Sequence, residues 1–168
     1  MDGILRKLPI GIQTFEKLRE GDYLYVDKTA LVWRIASTET PYFLSRPRRF
    51  GKSLLLSTFE AYFEGKKELF EGLAIADMEK EWKTYPVFHL DLNAEKYDSP
   101  QALVEILSRQ LTQWELKYGK GEDEETLSGR FAGVIRRACE QSGRGVVVLV
   151  DEYDKPLLQA LDDGALLD

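Results

Sequence analysis

The sequence predicts an α/β fold, a three-layer sandwich in which helices cover both faces of a mainly parallel sheet. Apolar, β-rich runs alternate with amphipathic helical segments along the chain. One of these runs, Val146 to Val150, is apolar without interruption, which is typical of a strand buried on both faces of a parallel sheet. Right-handed crossovers then place the strand ends, and any ligand, along one edge of the sheet.

Composition limits the class of protein. The chain has 168 residues, 43% of them hydrophobic, enough for one globular domain with a substantial core. The net charge of −6 argues against a general nucleic-acid coat. A single cysteine, Cys139, permits no internal disulfide and receives no redox role. Without an apolar run of membrane-spanning length or a signal-peptide core, we expect a cytoplasmic protein with no membrane partner.

Residues 1–40 are predicted to form an entry segment and two helices. Phe15 to Glu20 fits a short helix that Gly21 ends, and Tyr23 to Val26 fits a short strand. Asp27 is placed to cap a helix over Thr29 to Ala36, with its carboxylate on the first amides.

Residues 41–65 are predicted to form a strand over Tyr42 to Leu44, a basic loop and a helix from Lys52 to about Glu64. A strand, a loop and a helix that begins with Gly-Lys-Ser are the architecture of a phosphate-binding loop. The amides and the macrodipole of the helix start favour an anion. The pattern G-x-x-x-x-G-K-[ST] calls for glycine at position 46, where this chain has Arg46.

The loop residues receive specific roles under this interpretation. Lys52 would reach the β- and γ-phosphates, and the Ser53 hydroxyl would ligate Mg²⁺. Arg48 and Arg49 either contact phosphate or belong to a solvated basic loop. The predicted nucleotide-binding residues are Pro47, Arg48, Arg49, Phe50, Gly51, Lys52, Ser53 and Leu54.

Residues 66–145 are predicted to hold short helical pieces near 69–70 and 78–82, a second strand and two longer helices. Pro86 to Leu92 alternates and is β-rich, as in a strand. A helix starts at Ser99-Pro100 and ends near Gly119. The next helix has apolar residues on one face, and Gly143 and Gly145 break it. The strand's His89 is expected to be structural, and Asp91 lies either near the site or in solvent.

Residues 146–168 are predicted to be an apolar strand that ends in Asp151-Glu152, followed by a helix that starts at Lys155. Asp151 at the strand tip would hold a metal ion, usually through water, and Glu152 would act as the general base toward a water molecule. The alternative is an ordinary acidic turn. Asp154 is expected to cap the last helix rather than to bind metal.

Four stretches together resemble the bacterial predicted AAA-ATPase-like family. They are Leu8-Pro9-Ile10-Gly11-Ile12, Tyr25-Val26-Asp27-Lys28-Thr29, the loop Phe43 to Ser53 and Asp151-Glu152-Tyr153-Asp154-Lys155-Pro156. The resemblance covers nearly the whole chain. It implies a P-loop ATPase domain that uses ATP and Mg²⁺, and an arginine at position 46 is usual in that family.

The resemblance also implies a longer protein. Members continue past the Asp-Glu strand and typically end in a restriction-endonuclease-like nuclease domain, through which alone nucleic acid would be a partner. The strand that carries the polar sensor residue of such ATPases would follow residue 168, so the chain is expected to be a truncated ATPase domain. Its sheet would then have a gap, an altered strand order or strands from a second copy.

Three functions follow from these residues. The first is ATP hydrolysis with Lys52 and Glu152 as catalytic residues and Ser53 and Asp151 on Mg²⁺. The second is a nucleotide-binding switch or assembly module with little turnover, which Arg46 and the missing strand favour. The third is a small-molecule kinase, against which Glu152 counts because water activation suits hydrolysis.

Overall fold

The computed structural model describes residues 6–38, 40–45, 47, 50–93 and 100–155. It divides into an N-terminal unit, Met1–Thr84, and a C-terminal unit, Tyr85–Asp168. Each unit has helices, and the C-terminal unit also has a small parallel sheet of two strands. This mixture of helix and strand is compatible with the predicted α/β class.

The N-terminal unit is helical in its described part. Its elements are α1 (Phe15–Glu20), α2 (Thr29–Ala36), α3 (Lys52–Phe63), a 3₁₀ helix (Lys67–Phe70) and α4 (Ala74–Met78). Helix α1 packs on α3, and α2 packs on α4. Phe15 and Phe70 are fully buried, with ring centroids 4.8 Å apart. The helix predictions over 15–20, 29–36 and 52–64 are confirmed, and the Asp27 carboxylate accepts a hydrogen bond from the Thr29 amide at 2.8 Å.

The C-terminal unit places two helices against the sheet. Its elements are β1 (Val87–Asp91), α5 (Pro100–Tyr118), α6 (Leu127–Ser142) and β2 (Val147–Asp151). The strands are parallel, with Val87 opposite Val147 and Asp91 opposite Asp151. Phe88 of β1 is fully buried and stacks on Trp114 of α5 at 4.5 Å between centroids. Removing such a buried aromatic ring typically costs about 3–5 kcal/mol, so this stack fixes the sheet against the helices.

Gly143 ends helix α6, as the sequence predicts, and Thr126 caps its start. Thr126 precedes the helix, and its hydroxyl oxygen accepts a hydrogen bond from the Gly129 amide at 3.1 Å. Gly143 ends the helix with a left-handed backbone at φ 65°. The predicted Ser99 cap of α5 and the helix beyond Lys155 lie outside the described residues.

Three local predictions are wrong. Tyr42 to Leu44 does not form a strand: all three side chains are exposed, Phe43 at 70%, so the burial that stabilises a central parallel strand is lacking. Tyr23 to Val26 is reduced to an isolated bridge between Tyr23 and Lys7. The helical piece expected near 78–82 lies earlier, in α4, and ends at Met78.

Candidate functional site

The predicted phosphate-binding turn has the backbone of a helix start at Gly51. Gly51 is the N-cap of α3 with φ 74° and ψ 27°, in the left-handed region, and no side chain caps this end within the described residues. A Cβ at Gly51 would meet nothing within 4 Å, so glycine is needed for its backbone angle and not for space. A helix start without a side-chain cap can offer its first amides to an anion.

Helix α3 is held in place by hydroxyl groups. The Ser57 hydroxyl accepts a hydrogen bond from the Phe15 amide at 2.9 Å, which joins α3 to the start of α1. Ser57 and the fully buried Thr58 both donate to the Leu54 carbonyl, at 2.9 and 2.7 Å. These bonds restrain the helix one turn after Lys52 and Ser53, both of which are half-buried.

The loop before Gly51 contains a turn. The Phe50 amide donates to the Pro47 carbonyl at 3.4 Å, and the Phe50 side chain is 65% exposed. Ser45 and Pro47 are exposed as well. The predicted site residues Arg48 and Arg49, and Arg46 with them, lie outside the described residues.

The acidic half of the predicted site lies at the carboxyl end of β2. Asp151 is the last residue of the strand and is 6% exposed. Its backbone is fixed by the sheet, since the Leu92 amide donates to the Asp151 carbonyl at 3.1 Å. Its carboxylate accepts a hydrogen bond from the Glu152 amide at 3.0 Å. The sequence pattern therefore located a buried carboxylate at a strand tip correctly.

Glu152 has an unusual backbone. Its φ of 52° lies in the left-handed region, which residues with a Cβ rarely adopt. A left-handed residue other than glycine costs about 1–3 kcal/mol and persists only where its surroundings hold it. The Glu152 carbonyl accepts a hydrogen bond from the Lys155 amide at 3.0 Å, which closes the turn. Such strain is frequent at functional sites.

Asp91 is the neighbour of Asp151 in the sheet. The two aspartates are opposite each other at the carboxyl ends of β1 and β2, and Asp91 is exposed. The Asn93 amide donates to the Asp91 carboxylate at 2.8 Å. Asp91 therefore lies beside Asp151 in the sheet and is exposed to solvent, as one of its two predicted positions requires.

The oxygen donors predicted for the site are of the kind that Mg²⁺ takes when it is bound together with phosphate. No group of three or more His, Cys, Asp or Glu side chains that could hold a metal ion occurs in the described residues. Mg²⁺ usually keeps several waters and takes one or two protein ligands plus phosphate oxygens. The Ser53 hydroxyl and the Asp151 carboxylate are donors of this kind. Ser53 belongs to the N-terminal unit and Asp151 to the C-terminal unit.

His89 and Cys139 are both half-buried, and each lies in a regular secondary-structure element. His89 is half-buried in β1, opposite Leu149 of β2. Cys139 is half-buried in α6, with a free thiol.

The sequence did not predict a contact between two residues near the carboxyl ends of β1 and β2. The Lys155 ammonium donates to the Asn93 carbonyl at 2.5 Å and to its side-chain oxygen at 3.1 Å. The only sequence signal was the position of Lys155 just after the acidic turn. Asn93 follows β1, 62 residues earlier, and nothing in the pattern paired the two.

A Gly-Lys-Ser helix start and an Asp-Glu strand tip in an α/β chain are features of nucleotide-binding proteins. The chain belongs to the predicted AAA-ATPase family, whose family model matches residues 9–168.

A curated relative is similar over most of this chain. It is an uncharacterized protein in the vnfD 5' region of Azotobacter chroococcum mcd 1, 45% identical over 157 residues. The match covers 93% of this chain and 30% of that protein, so the chain spans about a third of the relative's length. No solved structure matches significantly. In the described part of the chain, no helix combines the length and the apolar character that a membrane crossing requires.

Proposed function

We propose that this chain binds ATP and Mg²⁺ and hydrolyses the ATP. The observation that carries the proposal is the family match, because residues 9–168 include both the Gly51-Lys52-Ser53 helix start and the Asp151-Glu152 strand tip. The left-handed Gly51 at an uncapped helix start and the buried Asp151 at a strand end support it. The proposed fold is a three-layer P-loop sandwich, of which the described sheet supplies two strands.

In the proposed reaction, the Glu152 carboxylate accepts a proton from water while the water oxygen attacks the γ-phosphorus of ATP. The bond from the γ-phosphorus to the bridging oxygen breaks, and the products are ADP and inorganic phosphate. Lys52 and the amides of residues 51–54 stabilise the phosphate charge, with Arg48 and Arg49. Ser53 and Asp151 are the residues that would hold Mg²⁺, and the ion would supply positive charge that stabilises the phosphate oxygens.

The role of the whole protein is a further part of the proposal. We propose that hydrolysis drives a conformational change in a larger cytoplasmic bacterial protein that includes this chain. A nuclease domain elsewhere in that protein would supply contact with nucleic acid.

Two substitutions test the proposal. Glu152→Gln should retain ATP binding and lower turnover about 10²- to 10⁴-fold, the usual contribution of a general base. Lys52→Ala should abolish binding of a fluorescent ATP analogue. Two exposed residues of the same types serve as matched controls, Glu125→Gln and Lys67→Ala, and both should behave as wild type. Unchanged ATP binding in Lys52→Ala would refute the site assignment.

A second candidate is a nucleotide-binding switch with little turnover. The exposed, non-strand segment Tyr42 to Leu44 favours it, because a phosphate loop that no strand anchors is less well positioned for catalysis. Binding of Mg²⁺-ATP without turnover in wild type and in Glu152→Gln would support the switch. Phosphate transfer to a metabolite would instead support a kinase.

A further inference from the structure

The turn after β2 is tied to the turn after β1 by one side chain. Lys155 reaches Asn93, where its ammonium group donates to the backbone carbonyl at 2.5 Å and to the side-chain oxygen at 3.1 Å. Asn93 is itself fixed, since its amide donates to the Asp91 carboxylate at 2.8 Å. The lysine therefore braces the carboxyl ends of both strands at the edge where the acidic residues lie.

The brace acts on the backbone of Glu152. The Lys155 amide donates to the Glu152 carbonyl at 3.0 Å, and the Glu152 amide donates to the Asp151 carboxylate at 3.0 Å. Both backbone groups of Glu152 are thus held while its φ stays at 52°. A left-handed residue with a Cβ returns to ordinary angles unless its surroundings hold it. The Lys155 amide makes one of these two backbone hydrogen bonds, and the Lys155 side chain joins the turn to Asn93.

The choice of partner for Lys155 also matters. Three carboxylates, Asp151, Glu152 and Asp154, lie within four residues of it in the chain. Within the described residues, the hydrogen bonds of its ammonium group go to the oxygens of Asn93. An ion pair with Glu152 would draw that carboxylate toward the lysine and compete with its action on water. Neutral oxygens hold the lysine without this competition.

We propose that Lys155, anchored on Asn93, is a positioning residue that holds Glu152 in the left-handed backbone from which its carboxylate meets the attacking water. This inference rests on the proposed hydrolysis. It gives Lys155 a role in turnover and none in ATP binding, because its contacts are to Asn93 and to the Glu152 backbone.

The test compares Lys155→Ala, Lys155→Arg and Asn93→Ala with wild type in steady-state Mg²⁺-ATP hydrolysis. Lys155→Ala should lower kcat about 10- to 100-fold, as misplacement of a catalytic group by about 1 Å does. The KM for ATP should stay within about twofold, because only the chemical step loses an interaction. Lys155→Arg should recover most of kcat, and Asn93→Ala should lose less than Lys155→Ala because the carbonyl remains. Lys120→Ala, an exposed lysine of the same unit, should have no effect.

The outcomes separate this inference from the proposed function. If Lys155→Ala has the kcat of wild type, the role proposed for Lys155 is wrong, while the proposed hydrolysis still stands. If the KM for ATP rises as much as kcat falls, the positioning role is wrong as well. No turnover in wild type would refute the proposed hydrolysis, and the positioning role of Lys155 with it. Amide hydrogen exchange at residues 152–155 then tests the brace itself: faster exchange in Lys155→Ala supports it, and unchanged exchange overturns it. If Lys155→Ala does not fold, Asn93→Ala decides by the same two measurements.

Discussion

One carboxylate in each unit is held by a different kind of donor. In the N-terminal unit, the Asp27 carboxylate accepts hydrogen bonds from the backbone amides of Thr29 and Ala74, at 2.8 and 2.7 Å. In the C-terminal unit, the Glu115 carboxylate is held by a charged side chain. Arg130 of α6 makes a bidentate pair with Glu115 of α5, with bonds of 2.8 and 2.7 Å.

The two carboxylates differ in which groups lose their hydrogen-bond partner when one residue is substituted. When Asp27 is removed, the Ala74 amide at the start of α4 can hydrogen-bond to water because Ala74 is exposed, whereas Thr29 at the start of α2 is fully buried. The side chain of Glu115 is only 6% exposed, so without Arg130 it is a buried charge that water reaches poorly. We therefore expect removal of one partner of this charged pair to destabilise the protein more than removal of Asp27 does.

The largest expected effect is that of Arg130→Met. Methionine keeps the aliphatic length but leaves Glu115 without its bidentate partner, and it removes the bonds of Arg130 to Ser108 and Thr112. Loss of one partner of a buried pair typically costs about 3 kcal/mol or more. Urea unfolding followed by circular dichroism measures this change.

The double variant Arg130→Met/Glu115→Leu serves as the control. Replacing a buried pair by apolar residues of similar volume is often nearly neutral, so stability should recover most of the loss. Equal stabilities of the single and the double variant would contradict the idea that the uncompensated charge causes the cost.

A smaller effect is expected in the N-terminal unit, from Asp27→Ala. This change removes the bonds to the Thr29 and Ala74 amides and to the Thr29 hydroxyl, which is 2.7 Å away. Loss of a helix-capping acceptor costs about 1–2 kcal/mol. Asp27→Asn should lose less, because one amide oxygen still accepts from Thr29. If Asn is as destabilising as Ala, the hydrogen bonds are not the source of the stabilisation.

The same contrast explains what the sequence could predict. Asp27 lies two residues before the amide it caps, so spacing alone indicated the bond, and the bounds of α1 to α3 followed from local periodicity. The position of Asp151-Glu152 at the end of β2 could also be predicted, because an apolar run ends abruptly at these residues. These features depend on neighbours in the chain.

The features that the sequence did not predict depend on distant neighbours or on backbone angles. The strand expected at Tyr42 to Leu44 needed a partner strand, which three apolar residues do not specify. The positive φ of Glu152 is not typical of its residue type, and glycine alone would have signalled it. The contact between Asn93 and Lys155 joins residues that are 62 positions apart.

The smallest and most specific effect is expected at acid pH, in the C-terminal unit. The hydrogen bonds from Arg137 to Glu124, 2.6 and 2.9 Å long, outweigh burial and lower the pKa of Glu124 from 4.5 to about 2. Because the pKa is lower in the folded state, the stabilisation from Glu124 is fully present above pH 4.5. It should be lost progressively as the pH falls toward 2.

The measurement compares the free energy of unfolding of wild type and Glu124→Gln across this pH range. Above pH 4.5 wild type should be the more stable, and the gap should narrow steadily as the pH approaches 2. Burial would raise the pKa of Asp27 in the N-terminal unit, but the hydrogen bonds from Ala74 and Thr29 lower it. The difference in unfolding free energy between wild type and Asp27→Asn should therefore also narrow as the pH falls. A gap for Glu124→Gln that does not change with pH would show that the pair with Arg137 contributes nothing through charge.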